Sequence, residues 1–284
     1  MQSAVLLVAL LTPFTRQGNV DVEALGAHVG ELRSAGIDGF FVCGTTGEGP
    51  LLDDDEVELV TRTVVGESPA GYRVIAQVGR PSTRATLRLL GKAFDSGASG
   101  VTVVTPYYYE LDSTRIEEHY RELLAAANHR PLYAYVIPRR TGNDLSPELV
   151  KRLAMAGLAG VKDSTRSLDR HIEYLQVAAG TPARFEVYMG TDGLALDALQ
   201  RGSTGIVSAI ANLRPELFVG LRDAMRAGSP EDAAKYQSEI ISLRQSLQQG
   251  DTIGNLKAGV RQRLESRGLA YPAALRPPLG TAGA

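Results

Sequence analysis

Pro131-Leu-Tyr-Ala-Tyr-Val-Ile137 and Ala159-Gly-Val-Lys162 are short runs that are apolar on both faces. Between them, Ser146-Pro-Glu-Leu149 opens a stretch with helical spacing, with a capping serine and Pro147 just inside the first turn. A strand buried on both faces, then a helix, then another such strand describes a parallel sheet covered by helices. A half-exposed sheet would instead alternate apolar and polar residues.

The same unit recurs in both directions from this pair. Upstream lie the apolar runs Val5–Leu11, Gly39–Cys43, Arg73–Val78 and Gly100–Thr105, and downstream Phe185–Met189 and Gly205–Ala209. Asp53-Asp-Asp-Glu56 places acid at a helix start, where the helix dipole favours it, and Ser113-Thr-Arg-Ile-Glu117 reads as a cap and first turn. Gly97, Gly157, Gly180 and Gly202 stand where helices should stop. Eight strands that each lead into a helix close most economically as a (β/α)8 barrel, the TIM barrel of the α/β class. Residues 1–225 are expected to form it. Residues 226–284 are expected to add helix from about Glu231 to Arg267 and an irregular proline-containing tail, packed on the barrel as part of one domain. An open doubly wound sheet is the alternative fold, but no glycine-rich nucleotide loop follows the first strand.

The run Ala4–Leu11 resembles the apolar core of an export signal, yet no basic residue precedes it and no small-x-small site follows before Pro13-Phe14. It is also too short to span a bilayer, so a buried first strand is expected. The chain has 284 residues, 44% of them hydrophobic and 22% charged, enough for a full core with a soluble surface. A formal charge of -2 gives no general attraction to nucleic acid or anionic membrane. One cysteine, Cys43, cannot close an internal disulfide, which points to a reducing, cytoplasmic setting.

In such a barrel the chemistry sits at the C-terminal ends of the strands. Of five lysines, Lys92, Lys151, Lys235 and Lys257 fall on helical stretches expected to face solvent, and only Lys162 follows an apolar strand. A poorly solvated ammonium loses its proton more readily, which frees the amine to attack a carbonyl; the plainer alternative pairs Lys162 with Asp163. Tyr135 ends the preceding strand and is either a proton shuttle beside that amine or a packed tyrosine. The loop Gly44-Thr-Thr-Gly-Glu-Gly49 lets backbone N–H groups converge on an anion, and without a P-loop lysine it suits a small carboxylate better than a nucleotide. Tyr107-Tyr-Tyr109 either lines the site or fills a subunit contact. Of Arg139 and Arg140, one is suited to holding a substrate carboxylate, with a surface salt bridge the default for the other. The four histidines, all assigned to helices, show no metal-ligand spacing, so no metal is expected; Cys43 reads as a small buried residue rather than a nucleophile.

Together these residues resemble the dihydrodipicolinate synthase / N-acetylneuraminate lyase superfamily of pyruvate-dependent class I aldolases. The resemblance runs from strand one to at least strand eight. It rests on Thr12-Pro-Phe14, Gly44-Thr-Thr-Gly-Glu48, Thr105-Pro-Tyr-Tyr108, Tyr135-Val-Ile-Pro-Arg-Arg-Thr-Gly142, Gly160-Val-Lys-Asp-Ser164 and Gly205-Ile-Val-Ser-Ala-Ile-Ala-Asn212. It implies that Lys162 forms a Schiff base with pyruvate or another 2-keto acid. It implies further that Tyr135 relays protons with Thr45 and Tyr108, and that Thr45 and Thr46 hold the keto acid's carboxylate. Gly190 and Val207 match residues that line the pyruvate pocket, and Arg140 matches an arginine that binds the carboxylate of aspartate semialdehyde. No cofactor is implied, because the protonated imine is the electron sink. In many members the second tyrosine comes from a neighbouring subunit, so a homo-oligomer, dimer or tetramer, is implied.

Within that superfamily, Gly44-Thr-Thr-Gly-x-Gly-Pro-x-Leu52 with Tyr107-Tyr-Tyr109 resembles aldolases of 2-keto-3-deoxy sugar acids. Asp163-Ser164 after the lysine and Val136 after the tyrosine depart from the synthase pattern. The expected reaction is therefore aldol cleavage or condensation of a 2-keto acid with an aldehyde. The synthase reaction on aspartate semialdehyde is the alternative, and a non-catalytic keto-acid-binding barrel the reading from another class.

Overall fold

The computed structural model describes residues 4–181 and 183–280. Eight strands run β1 Val5–Ala9, β2 Gly39–Val42, β3 Arg73–Gln77, β4 Gly100–Val104, β5 Leu132–Val136, β6 Gly160–Asp163, β7 Glu186–Met189 and β8 Gly205–Ser208. All pair in parallel with their sequence neighbours, and β1 pairs with β8, which closes the barrel. The helices are α1 Val22–Ser34, α2 Asp54–Gly66, α3 Thr83–Asp95, α4 Ser113–Ala127, the single turn α5 Pro138–Thr141, α6 Pro147–Met155, α7 Leu168–Ala179, α8 Ala195–Gln200, α9 Pro215–Ala227, α10 Pro230–Leu247 and α11 Thr252–Glu265. The apolar run beginning at Ala4 is accordingly a barrel strand, and no helix among the described residues is long and apolar enough to cross a membrane.

Local chemistry sets the boundaries. Asp53 caps α2 in a full capping box with Glu56, and Ser146 caps α6 ahead of Pro147. The expected start of α4 at Ser113 is right, but the cap is Asp112 one residue earlier. The run expected as helix from Glu231 to Arg267 is two helices, separated by Gly250 at φ 83°. His129 is not helical: it follows the end of α4 with φ 65°.

Each strand separates two packing layers. Leu6 and Val8, Ala134 and Val136, and Val161 and Val187 face the helices, while Leu7 and Ala9, Tyr133 and Tyr135, and Tyr188 and Val207 fill the interior. At the N-terminal end, Glu186 accepts from Arg73 Nη1 at 2.8 Å, Tyr133 OH at 2.9 Å and Tyr188 OH at 2.9 Å. This paired network closes the barrel floor with its polar groups satisfied. The opposite end stays open, and there the strand tips present Tyr135, Lys162 and Val207.

Candidate active site

Lys162 is the third residue of β6, in register with Tyr135 on β5 and Tyr188 on β7. Alternation along β6 sends its side chain inward and that of Asp163 outward, where Asp163 meets His171 Nδ1 at 3.0 Å and accepts from Thr165. The pairing of Lys162 with Asp163 is thereby excluded. Only 5% of Lys162 is exposed. Its Nζ lies 3.9 Å from the centre of the Phe41 ring and 4.0 Å from that of Tyr135. Burial lowers its pKa from 10.5, against the opposing pull of Tyr135 and Asp192. An amine so placed is the group that a carbonyl-directed nucleophile needs.

Tyr135 OH is 3.2 Å from Thr45 Oγ1, and its ring stands edge-on to Phe41 with centres 5.5 Å apart. Thr45 belongs to the loop after β2, which is shaped by two non-glycine residues in the left-handed region, Cys43 at φ 56° and Glu48 at φ 57°. Gly49 can be nothing larger: a Cβ there would lie 1.8 Å from Cys43 O. The loop turns on Gly49 N–H to Gly44 O and Thr12 Oγ1 to Gly47 O. The N–H groups of Thr45 and Thr46 donate to no group among the described residues, so both remain available to an anion.

Lys162, Tyr135, Thr45 and Thr46 line one cavity of about 430 Å³. Gly190, after β7, sits against the lysine: a Cβ would come within 2.3 Å of Ser164 Oγ and 3.1 Å of Lys162 Cε. Val207 lines the wall from β8. Arg140, on the exposed turn α5, lines the rim with Arg139, and Arg166 and Arg244 join them. None of the four makes an ion pair among the described residues, so the surface salt bridge expected for Arg139 or Arg140 does not form. Burial, then repulsion from Arg139, Arg244 and Arg140, lowers the pKa of Arg166, as expected where cations crowd one mouth.

Two of the expected placements change. Tyr108, carried outward by a backbone at φ 84°, is 87% exposed and does not reach Thr45 or Tyr135 within its own chain. Lys257, expected to face solvent, is fully buried on α11, because a carboxylate from the β2 loop, Glu48, meets it there. The sequence reading gave no role to Asp192, Arg166 or Arg244. Asp192 is a buried acid beside the lysine, with its carboxyl pushed up to about 6 by burial despite the Ser208 hydroxyl near it. Its position directly after β7 was the available signal; Arg244, on a helix far along the chain, offered none.

A model of the dihydrodipicolinate synthetase family matches residues 2–283. The chain belongs to this family. A DapA-like lyase of Halobacterium salinarum is 40% identical over 255 residues, covering 89% of this chain and 82% of the relative. The crystal structure of YagE, a prophage protein of E. coli K12 assigned to the dihydrodipicolinic acid synthase family and solved with pyruvate, superposes with a TM-score of 0.90. Its identity is 27%, with 98% of this chain and 93% of that one covered. The Sulfolobus 2-keto-3-deoxygluconate aldolase in complex with D-KDPG gives a TM-score of 0.86 at 25% identity, covering 97% and 90%. The protein is thus an enzyme, a pyruvate-dependent aldolase or lyase of class I, on the barrel that its strand pattern indicated.

Proposed function

We propose that Lys162 attacks the carbonyl carbon of pyruvate or a related 2-keto acid, and that the observation carrying this is its burial against Phe41 and Tyr135 with no carboxylate in contact among the described residues. The amine adds to C2 to give a carbinolamine. Tyr135 donates a proton to the departing hydroxyl, water leaves, and a protonated imine forms. Thr45 takes part by exchanging protons with the phenol across their 3.2 Å contact. The iminium then accepts the electron pair of the C3–C4 bond when a 2-keto acid is cleaved, while the C4 hydroxyl gives its proton to the Tyr135 phenolate and departs as the aldehyde; protonation of the enamine at C3 and addition of water to the imine release pyruvate and free Lys162. In the reverse direction, loss of a C3 proton gives the enamine that attacks an aldehyde. The free N–H groups of Thr45 and Thr46 hold the carboxylate, with Gly190 and Val207 shaping the pocket around the methyl carbon. The reaction calls for no cofactor, since the imine itself receives the electrons.

The aldehyde partner is read from the rim. Four guanidiniums with no ion pair among the described residues favour a substrate with an acid group at its far end, and Arg140 is the fork assigned to it. The loop sequence through Leu52 favours a 2-keto-3-deoxy sugar acid, whereas Arg140 suits aspartate semialdehyde, which keeps the synthase reaction as the second reading. Assembly into a homo-oligomer, dimer or tetramer, is supported by Tyr108, which stands out from the chain against Tyr109 with its side chain free for a neighbour. A cytoplasmic location is supported by the single, buried free thiol of Cys43.

Cleavage of 2-keto-3-deoxygluconate, assayed beside condensation of pyruvate with aspartate semialdehyde, tests the reading. Turnover of the sugar acid is expected, with Arg140→Ala lowering activity selectively toward the acid-bearing aldehyde. Turnover of neither substrate class by a protein that binds pyruvate would establish the non-catalytic alternative.

A further inference from the structure

The loop that carries Thr45 and Thr46 does not end at the active site. Its next acidic residue, Glu48, turns away from the cavity at φ 57° and is 1% exposed. There it forms an ion pair with Lys257 Nζ of α11, with both side chains fully buried. Glu48 Oε2 also accepts the backbone N–H of Arg276 in the tail at 2.9 Å. Lys257 in turn donates to Ala274 O at 2.8 Å, and its ammonium lies 4.3 Å from the centre of the Phe14 ring. The Arg276 guanidinium covers the same ring at 4.4 Å and binds the Glu56 carboxylate, Leu51 O and Gly18 O. The N-terminal part of α11 meanwhile reaches the cavity through Thr252, Ile253 and Leu256.

A buried ion pair is a poor route to stability, because taking both charges out of water costs about as much as their attraction returns. Such a pair can instead fix the register of the segments that carry it, as buried polar groups do in some proteins. Here the segments are the β2 loop, the last helix and the tail, and the loop end being fixed lies three residues from Thr45.

We propose that the C-terminal extension positions the substrate-binding loop through this clasp, so that Glu48 and Lys257 hold Thr45 and Thr46 in their binding geometry. Neither residue touches the reacting atoms; both are positioning residues. The consequence for affinity rests on the assignment of the keto acid's carboxylate to Thr45 and Thr46.

Lys257→Met alone leaves Glu48 buried without its countercharge and is liable to unfold. The decisive variant is therefore Glu48→Gln with Lys257→Met in the full chain, which removes both charges together. Two measurements are made on it: amide hydrogen exchange over residues 44–49, and steady-state kinetics with varied pyruvate. The expected result is faster exchange in the loop and a KM for pyruvate raised roughly ten-fold, with kcat lowered by up to about ten-fold through the Thr45–Tyr135 contact. Faster exchange with an unchanged KM would support the clasp and instead sink the assignment of the carboxylate to this loop. Unchanged exchange and unchanged KM in a folded double variant, even one with a lower melting temperature, would overturn the proposal and leave the pair a purely structural one.

Discussion

Lys162 and Lys257 are both buried lysines, and their surroundings make them opposite kinds of residue. Lys257 has a carboxylate in contact and a carbonyl to donate to, so its positive charge is compensated where it lies. Lys162 has two aromatic rings against its ammonium and no carboxylate in contact among the described residues; the acid that acts on it, Asp192, is itself pushed toward the neutral form. Burial lowers the pKa of both. At Lys257 the paired Glu48 pulls hardest in the other direction, whereas at Lys162 a phenol does. Burial alone therefore does not mark a nucleophile. Burial without a matched countercharge, at the mouth of a cavity that admits a carbonyl, does.

The comparison breaks most sharply by exchanging the lysines for methionine one at a time. Lys162→Met should lower turnover by at least about three orders of magnitude, the scale for loss of a covalent nucleophile, while leaving denaturant stability at or above the parent's, since an uncompensated amine leaves the core. Lys257→Met should do the reverse in kind. Denaturant titration should show about 3–5 kcal/mol lost, because Glu48 then stays buried unpaired. Tyr135→Phe keeps both lysines and removes the phenol; turnover should fall by roughly two orders of magnitude, with imine formation the slowed step in single-turnover measurements. Unchanged turnover in that variant would make Tyr135 a packed tyrosine.

A smaller effect is expected in the dependence of stability on pH. Asp192 has a folded pKa of about 6 against an ordinary 3.8, so the fold binds a proton that the unfolded chain releases. Its contribution is fully present below about 3.8 and is lost as pH rises through about 6. Asp192→Asn should remove that component from a series of denaturation curves taken between those values; an unaltered pH profile would mean that the carboxyl titrates alike in the folded and unfolded chain.

The barrel was legible in the sequence because parallel strands covered by helices are apolar on both faces. The structure places every strand within two residues of its expected ends. Lys162 and Tyr135 were legible for a related reason: a polar residue at the end of a buried run has few places to go except the barrel mouth. Lys257 was not, since a lysine on a helix looks exposed until its partner is known, and Glu48 approaches it from the far end of the chain. Nor was the rim. Arg139 looked like a candidate for an ordinary ion pair, and only folding shows it beside Arg166 and Arg244 with no ion pair among the described residues. Tyr108 marks the other limit, because a position just after a strand does not reveal that a backbone at φ 84° carries the side chain away from the cavity.

The central distinction between the two lysines is tested most directly by reducing the protein with borohydride in the presence of pyruvate and mapping the modified peptide by mass spectrometry. One reduced pyruvate adduct on Lys162, with Lys257 unlabelled, is the predicted result. Adduct on Lys257, or spread over the exposed lysines Lys151 and Lys235 with Lys162 untouched, would contradict it.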